Sequence, residues 1–410
     1  MKSNYKRIGD FIKLVDERNT DLKVDTLVGL SINKIFIPSV ANTVGTNMKR
    51  YKIIRKNQFA CSTMQVRRDK KMPVALLKEH DKAIISQAYL VFQVIDENVL
   101  LSEYLMMWMS REEFDRHACF LAVGGVRGSL EWEDFLDMEI PVPSVEKQRE
   151  IVTEYNAVVN RIKLNERLNE KLEETAQTIY RQWFEEFEFP IPKELAEEMG
   201  TPELEGKPYK SSGGEMVYNE ELEKEIPMGW QCHELENITA ISAGGDKPKV
   251  YSPFKTDNCL VPIYSNTTKN RGLYGYTNKA KISEESITIS ARGAIIGYTV
   301  LRTVPFCPIV RLIVVTPLNS KHLNYIYYAI KGFSYDDLSS AQGQLTVPEI
   351  SSYNILFPDI STINGFERIT KHLKKLEKTS RVEILKMKSF GEILTSKMAK
   401  VEVSKETEMA

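Results

Sequence analysis

The sequence is short of paired cysteines, of long apolar runs, of any excess of charge and of catalytic motifs, and each shortage closes off a class of protein. Its five cysteines (Cys61, Cys119, Cys232, Cys259 and Cys307) are scattered, with no Cys-x-x-Cys pair. An odd, unpatterned set predicts reduced thiols in a cytoplasmic protein, not a disulfide framework or a zinc site. The N-terminus is polar, and no stretch approaches the roughly 18 apolar residues of a membrane span. Lys and Arg number 55 against 56 Asp and Glu, a net charge of −1. Affinity for nucleic acid comes largely from neutralised phosphates. A chain this balanced must concentrate its basic residues locally or borrow a clamp from a partner.

The catalytic signatures are missing as well. There is no Gly-x-x-x-x-Gly-Lys-Ser/Thr loop for ATP, no Gly-x-Ser-x-Gly elbow and no His-Glu-x-x-His helix. The five histidines (His80, His117, His233, His322 and His372) are dispersed, without metal-ligand spacing. No Asp/Asn-Pro-Pro-aromatic tetrad of the kind used by amino-methyltransferases occurs. Pro358-Asp359 has no Glu-x-Lys shortly after it, and Glu205-Gly-Lys207 stands alone. The sequence offers no catalyst and no metal site.

What is there is a soluble composition, 42% hydrophobic and 27% charged, on 410 residues. That length holds two or three domains. Residues 1–143 mix short strand-like runs with one helical stretch. Ile84 to Ile95 is rich in β-branched and aromatic residues and reads as a buried strand, and Leu100 to Met109 reads as helix. At Ser144 the pattern changes. Ile151, Tyr155, Val158, Ile162, Leu168, Leu172, Ile179 and Trp183 recur at three- to four-residue steps, and no Pro or Gly falls between Ser144 and Pro190. That predicts a helix of about 40 residues, roughly 60 Å long, over 144–187. Residues 188–228 carry repeated Pro and Gly in an acidic stretch and read as a linker. A second globular segment follows over 229–358. A second long helix over 359–400 carries Phe366, Ile369, Leu373, Leu376, Leu385 and Leu394, ahead of a flexible tail, 401–410.

The two halves repeat. Gly128, Leu130, Ile140 and Pro143 match Gly343, Leu345, Ile355 and Pro358 at a constant offset of 215 (358 − 143). Each copy is preceded by strands and a short helix and followed by a long helix. Two apolar-striped helices should bury their stripes against one another. Residues 146–186 hold seven basic and nine acidic side chains, whereas 361–405 hold eleven basic and five acidic. Opposite balances favour pairing, and the positive remainder is either a solvated face or a surface for a partner or phosphates.

Five segments have chemistry suited to base edges and phosphates. Residues 62–71 gather Ser62, Gln65, Arg67, Arg68, Lys70 and Lys71. Arg grips guanine and Gln adenine bidentately, while Lys suits phosphates. The glycine-rich loop 124–129 carries Arg127. In the second half, Ser290 and Arg292 occupy the equivalent strand exit, and Gln342 and Gln344 match the Arg127 loop. Ser265, Asn266, Arg271 and Tyr274 add an aromatic, basic loop.

These features resemble the specificity subunit of Type I restriction–modification systems, the HsdS family. The resemblance rests on the duplicated domain ends, on Glu146-Lys-Gln148-Arg-Glu-Ile151 opening the first long helix, on Ser290-Ala-Arg292-Gly-Ala-Ile-Ile-Gly297, and on Gly206-Lys-Pro-Tyr-Lys-Ser-Ser-Gly-Gly214. It implies an α+β chain of two globular mixed α/β target recognition domains. Two long helices separate them, pair as an antiparallel coiled coil and make a pseudo-twofold internal repeat. Each domain would read one half of a bipartite site in double-stranded DNA, and the helices would fix the gap. A spacer of at most roughly 60 Å favours half-sites about one helical turn apart. The resemblance also implies two adenine methyltransferase subunits, to which two motor-nuclease subunits can be added. S-adenosylmethionine, ATP and Mg would then sit on those partners, none on this chain. Two other readings stay open: a coiled-coil adaptor that binds only protein, and a free-standing DNA methyltransferase.

Overall fold

A computed structural model describes residues 5–39, 46–124, 128–333 and 344–398. The chain divides into two compact units, Met1–Glu166 with Arg381–Ala410, and Arg167–Ser380. The division runs through both long helices, Val145–Phe184 and Ile360–Lys397, so each unit owns part of each helix.

The first unit is built on a four-stranded antiparallel sheet, in the order Ile12–Val15, Leu90–Val94, Gln58–Cys61 and Val74–Leu76. Phe59 and Phe92 face each other across it and stack with ring centroids 4.7 Å apart. The expected strand over 84–95 is two strands, Lys82–Ile85 and Leu90–Val94, in different sheets. Between them Tyr89 N–H donates to Ser86 O in a tight turn. A further pair, Tyr5–Arg7 against Glu139–Pro141, joins the unit's first strand to the strand that enters the long helix. The helix Ser102–Met109 buries Tyr104 and Leu105, and the Tyr104 hydroxyl donates to Pro141 O at 3.1 Å.

The second unit repeats this order. Its four-stranded sheet runs Thr239–Ala243, Leu312–Pro317, Ser286–Ser290 and Thr299–Arg302. Gln231–Glu234 pairs with Asn354–Phe357 as Tyr5–Arg7 does with Glu139–Pro141. On helix Leu323–Lys331, the Tyr325 hydroxyl donates to Leu356 O, the same bond Tyr104 makes. The offset of 215 holds only at the domain ends. By the first strand it is 227 (233 − 6), since Lys6 faces Ile140 and His233 faces Ile355. Part of that extra length lies before the domain ends, with 26 residues from Tyr104 to Leu130 (130 − 104) against 20 from Tyr325 to Leu345 (345 − 325).

Residues 188–228, expected as a linker, are built into the core of the second unit. Phe189, Ile191, Tyr209 and Ile226 are buried there with Trp183, Phe184 and Trp230. Phe189 is sandwiched between Tyr209 and Trp230, at centroid distances of 4.7 and 4.9 Å. The prolines and glycines turn the chain so that these few apolar residues all point inward. Gly214 is part of that packing, because a Cβ there would lie 2.4 Å from Tyr209 Cε1.

Within each unit the two long helices run antiparallel. In the first, Gly391 lies against Tyr155 and Val158, and Arg161 Nε meets Glu383 Oε1 at 2.6 Å. In the second, Trp183 packs on Gly365, and Glu173 bonds Lys374 at 2.6 Å. Val158, Phe366 and Leu394 are buried. Ile151, Tyr155, Ile162, Leu172, Ile179, Ile369 and Leu373 are half-buried. Three expected stripe residues are not inside: Leu168 is 45% exposed, Leu376 56% and Leu385 67%. At 3.6 residues per turn the inward positions near Leu168 and Leu376 fall on Asn165, Asn169, Glu377 and Ser380, while Ile384 is the buried neighbour of Leu385. The buried positions beside Leu168 and Leu376 are therefore polar, and those leucines lie on the flank.

Candidate nucleic-acid interface

In the first unit, strand Gln58–Cys61 runs out into residues 62–71, and that segment is anchored to the loop before helix Trp132–Asp137. Leu130 N–H donates to Thr63 O at 2.9 Å. Val123 and Ser129 exchange main-chain hydrogen bonds and close the glycine loop at its base. Arg67 braces that loop, with its N–H on Gly128 O at 3.2 Å and Nη1 on Gly124 O at 3.1 Å. Gly128 is required by this approach, since a Cβ would stand 2.9 Å from Val123 O and 3.3 Å from Arg67 Cβ. Arg127 lies outside the described residues.

The remaining first-unit candidates divide three ways. Ser62 and Gln65 line a groove of about 540 Å³ with Met64, Tyr51, Ser86 and Tyr89. Gln65 is left-handed, with φ of 62°. Arg68 is held bidentately by Asp69 at 2.6 and 3.1 Å; the hydrogen bond raises the arginine's pKa and lowers the carboxylate's. Lys70 and Lys71 are exposed, without a side-chain partner among the described residues. They are the free cations of this segment, suited to phosphates.

The second unit uses the same anchor. Leu345 N–H donates to Ala291 O at 2.9 Å, and Gln344 bridges Arg292 main chain to main chain. Asn266 Nδ2 donates to Arg292 O at 3.0 Å, drawing the loop of Ser265 and Asn266 to the same place. The structure thus brings Asn266, Arg292 and Gln344 together at one strand end, with the Arg292 side chain exposed. Gln342 lies outside the described residues. Ser290 is corrected: it is only 1% exposed and its main chain is paired with Tyr298 and Gly297, so it supports the loop and offers no hydroxyl to a ligand.

Arg271 sits at the far end of the 265–272 loop, with Nη2 on Leu301 O at 3.4 Å. Tyr274 stands with Tyr251, and Lys247 Nζ lies 3.6 Å from the Tyr251 ring centroid and 5.3 Å from that of Tyr274. Sequence reasoning missed Lys247, Tyr251 and Arg302. Arg302 ends strand Thr299–Arg302, stacked 3.6 Å over Tyr264 with Nε on Thr288 Oγ1 at 2.9 Å. Burial draws its guanidinium down to about 10. A cation at an inward-facing strand position was the signal for it.

Among the described residues no group of histidines, cysteines and carboxylates could hold a metal ion, and no helix is long and apolar enough to cross a membrane. The family profile described as the Type I restriction modification DNA specificity domain matches residues 2–174 and again 227–388. The chain is 24% identical over 326 residues to the Type I restriction enzyme MjaIX specificity subunit of Methanocaldococcus jannaschii, covering 74% of this chain and 70% of that one. It is 20% identical to the HindI specificity subunit of Haemophilus influenzae, covering 79% and 82%. The crystal structure of the S subunit of the Type I restriction–modification system from M. genitalium superposes with a TM-score of 0.57 at 13% identity, over 96% of this chain and 95% of that one, a likeness of fold. With the profile matched twice across most of its length, the chain belongs to the Type I restriction–modification DNA specificity family and carries two copies of its domain.

Proposed function

We propose that the chain reads a bipartite DNA target, one half-site with each unit, and that it contributes recognition and no catalysis. The observation that carries this reading is the repeated anchor, Leu130 to Thr63 and Leu345 to Ala291. It presents the same pair of loops at the same strand end in both units, with different side chains on each. A common scaffold with divergent loop residues is what two different half-sites require. Lys70, Lys71 and Arg292 supply donors to phosphates and guanine, and Asn266 and Gln65 supply amides that suit adenine. The two long helices set the number of base pairs between the half-sites.

The reaction itself belongs to partners in this reading. Two methyltransferase subunits holding S-adenosylmethionine modify adenine, and two motor-nuclease subunits holding ATP and Mg join them, all in the cytoplasm. The net charge of −1 fits such an assembly, because partners closing round the duplex make up the missing phosphate contacts. Mapping methylated adenines in a host that co-expresses this chain with its methyltransferase subunit tests the reading. A split motif with a fixed gap is expected; an unmodified genome would refute it.

A further inference from the structure

Among the described residues, buried lysines and arginines are otherwise matched to carboxylates. Lys34 Nζ lies 2.8 Å from Asp115, Lys52 Nζ 3.2 Å from Asp16, and Arg111 3.5 Å from Glu113. Arg302 breaks the pattern. It is 5% exposed, and no described residue gives it an ion pair. Its fixed contacts are the Thr288 hydroxyl and the face of Tyr264. Burial lowers its pKa, and the neighbouring cation Arg271 lowers it further. A buried charge without a counter-ion is costly, and two like charges side by side add to the cost.

Both arginines open onto one groove of about 560 Å³, lined also by Tyr264, Tyr276, Asn270 and Lys255 and by no carboxylate. Asn270 and Arg271 are both left-handed, with φ of 48° and 54°. That is an unfavourable conformation for consecutive residues with side chains, and here it places Arg271 on the groove. A buried arginine, a second arginine and a lysine around a concave surface with no acid is a site for an oxyanion, and the planar guanidinium fork suits phosphate.

We propose that this groove is a phosphate-binding site, in which Arg302 and Arg271 take a phosphodiester of the DNA backbone beside the half-site read by the second unit. The proposal rests on the DNA-reading function above. It adds a positioning contact that sequence reasoning did not find in Arg302, and it gives Arg271 a role in holding the backbone instead of reading a base. The arginines hold the duplex in register while Arg292 and Asn266, at the other end of the 265–272 loop, address the bases.

The test uses the full chain assembled with its methyltransferase subunits and a labelled duplex carrying the target, with binding followed over a series of salt concentrations. R302Q and R271Q should each lower the slope of log affinity against log salt by about one, the loss of one phosphate contact, with half-site preference unchanged. R302K, which keeps the charge, should retain most of the slope. If R302Q does not fold, R271Q and R302K carry the test. An unchanged slope in folded R271Q and R302Q overturns the phosphate site while leaving DNA reading intact. If the wild-type chain assembled with its methyltransferase subunits binds no duplex, DNA reading fails, and thermal unfolding with inorganic phosphate then decides the groove. Stabilisation of wild type but not of R271Q would assign it to free phosphate, against the backbone assignment, and no stabilisation would dismiss it entirely.

Discussion

Leu130 donates its main-chain N–H to Thr63 O at 2.9 Å, and through that bond the segment after strand Gln58–Cys61 is fixed to the loop that opens helix Trp132–Asp137. The equivalent bond in the second unit joins Leu345 to Ala291 at 2.9 Å. Neither side chain takes part, so the anchor survives while the exposed loop residues differ. The reading surface can therefore be changed without unfolding its support.

Arg292 is the exposed side chain at that anchor in the second unit. Arg292→Ala should leave thermal stability within about 0.5 kcal/mol of wild type and cost about 1–3 kcal/mol at one base pair of the second half-site. Affinity measured against a set of single-base variants checks this. Equal loss on every sequence would make Arg292 a phosphate contact instead.

Gly128 is held where no side chain fits, between Val123 O and Arg67 Cβ. Gly128→Ala should push the glycine loop off Arg67 and destabilise the first unit by about 1–3 kcal/mol, as overpacking does. Arg67→Ala removes the loop's brace and should weaken recognition of the first half-site with a smaller loss of stability. Denaturant unfolding together with half-site binding separates the two effects.

Burial penalises the Glu173 carboxylate, but Lys374 and Lys331 outweigh that penalty and hold its pKa at about 2, against an ordinary 4.5. A depressed carboxylate contributes stability that is fully present above pH about 4.5 and is lost as pH falls towards 2. Glu173→Gln should cost on the order of 2–3 kcal/mol at neutral pH and flatten the loss of stability between those two values. An unaltered acid limb would mean that the Glu173 cluster contributes no net stability.

The exposure of two leucines on the long helices makes a contrast with a buried phenylalanine. Leu168→Gln and Leu385→Gln alter exposed positions and should change stability by less than about 0.5 kcal/mol. Phe366 is fully buried against Tyr180, Trp183 and Phe184, so Phe366→Ala should cost about 3–5 kcal/mol. Chemical denaturation of the three variants is sufficient.

The repeat and both long helices were legible because they are long-range patterns: a fixed offset at the domain ends, and apolar residues recurring without Pro or Gly. What failed were inferences that needed the third dimension. Leu168, Leu376 and Leu385 keep the apolar spacing but drift off the inward face, where Asn169, Glu377 and Ile384 take their place. Pro- and Gly-rich punctuation suggested a free linker, yet it is what lets Phe189 lie between Tyr209 and Trp230. Ser290 had the chemistry of a base reader but sits inside the sheet. Arg302 was passed over because its interest lies in a missing counter-ion, which only the fold reveals.

The central claim is that each unit reads its own half of the target. Residues 1–143 can be replaced by the corresponding domain of another specificity subunit, leaving both long helices and the second unit unchanged. Mapping methylated adenines in a host that carries the hybrid and the methyltransferase measures the result. The account predicts a motif with one new half-site, the other half-site and the gap retained. A motif changed in both halves would contradict it.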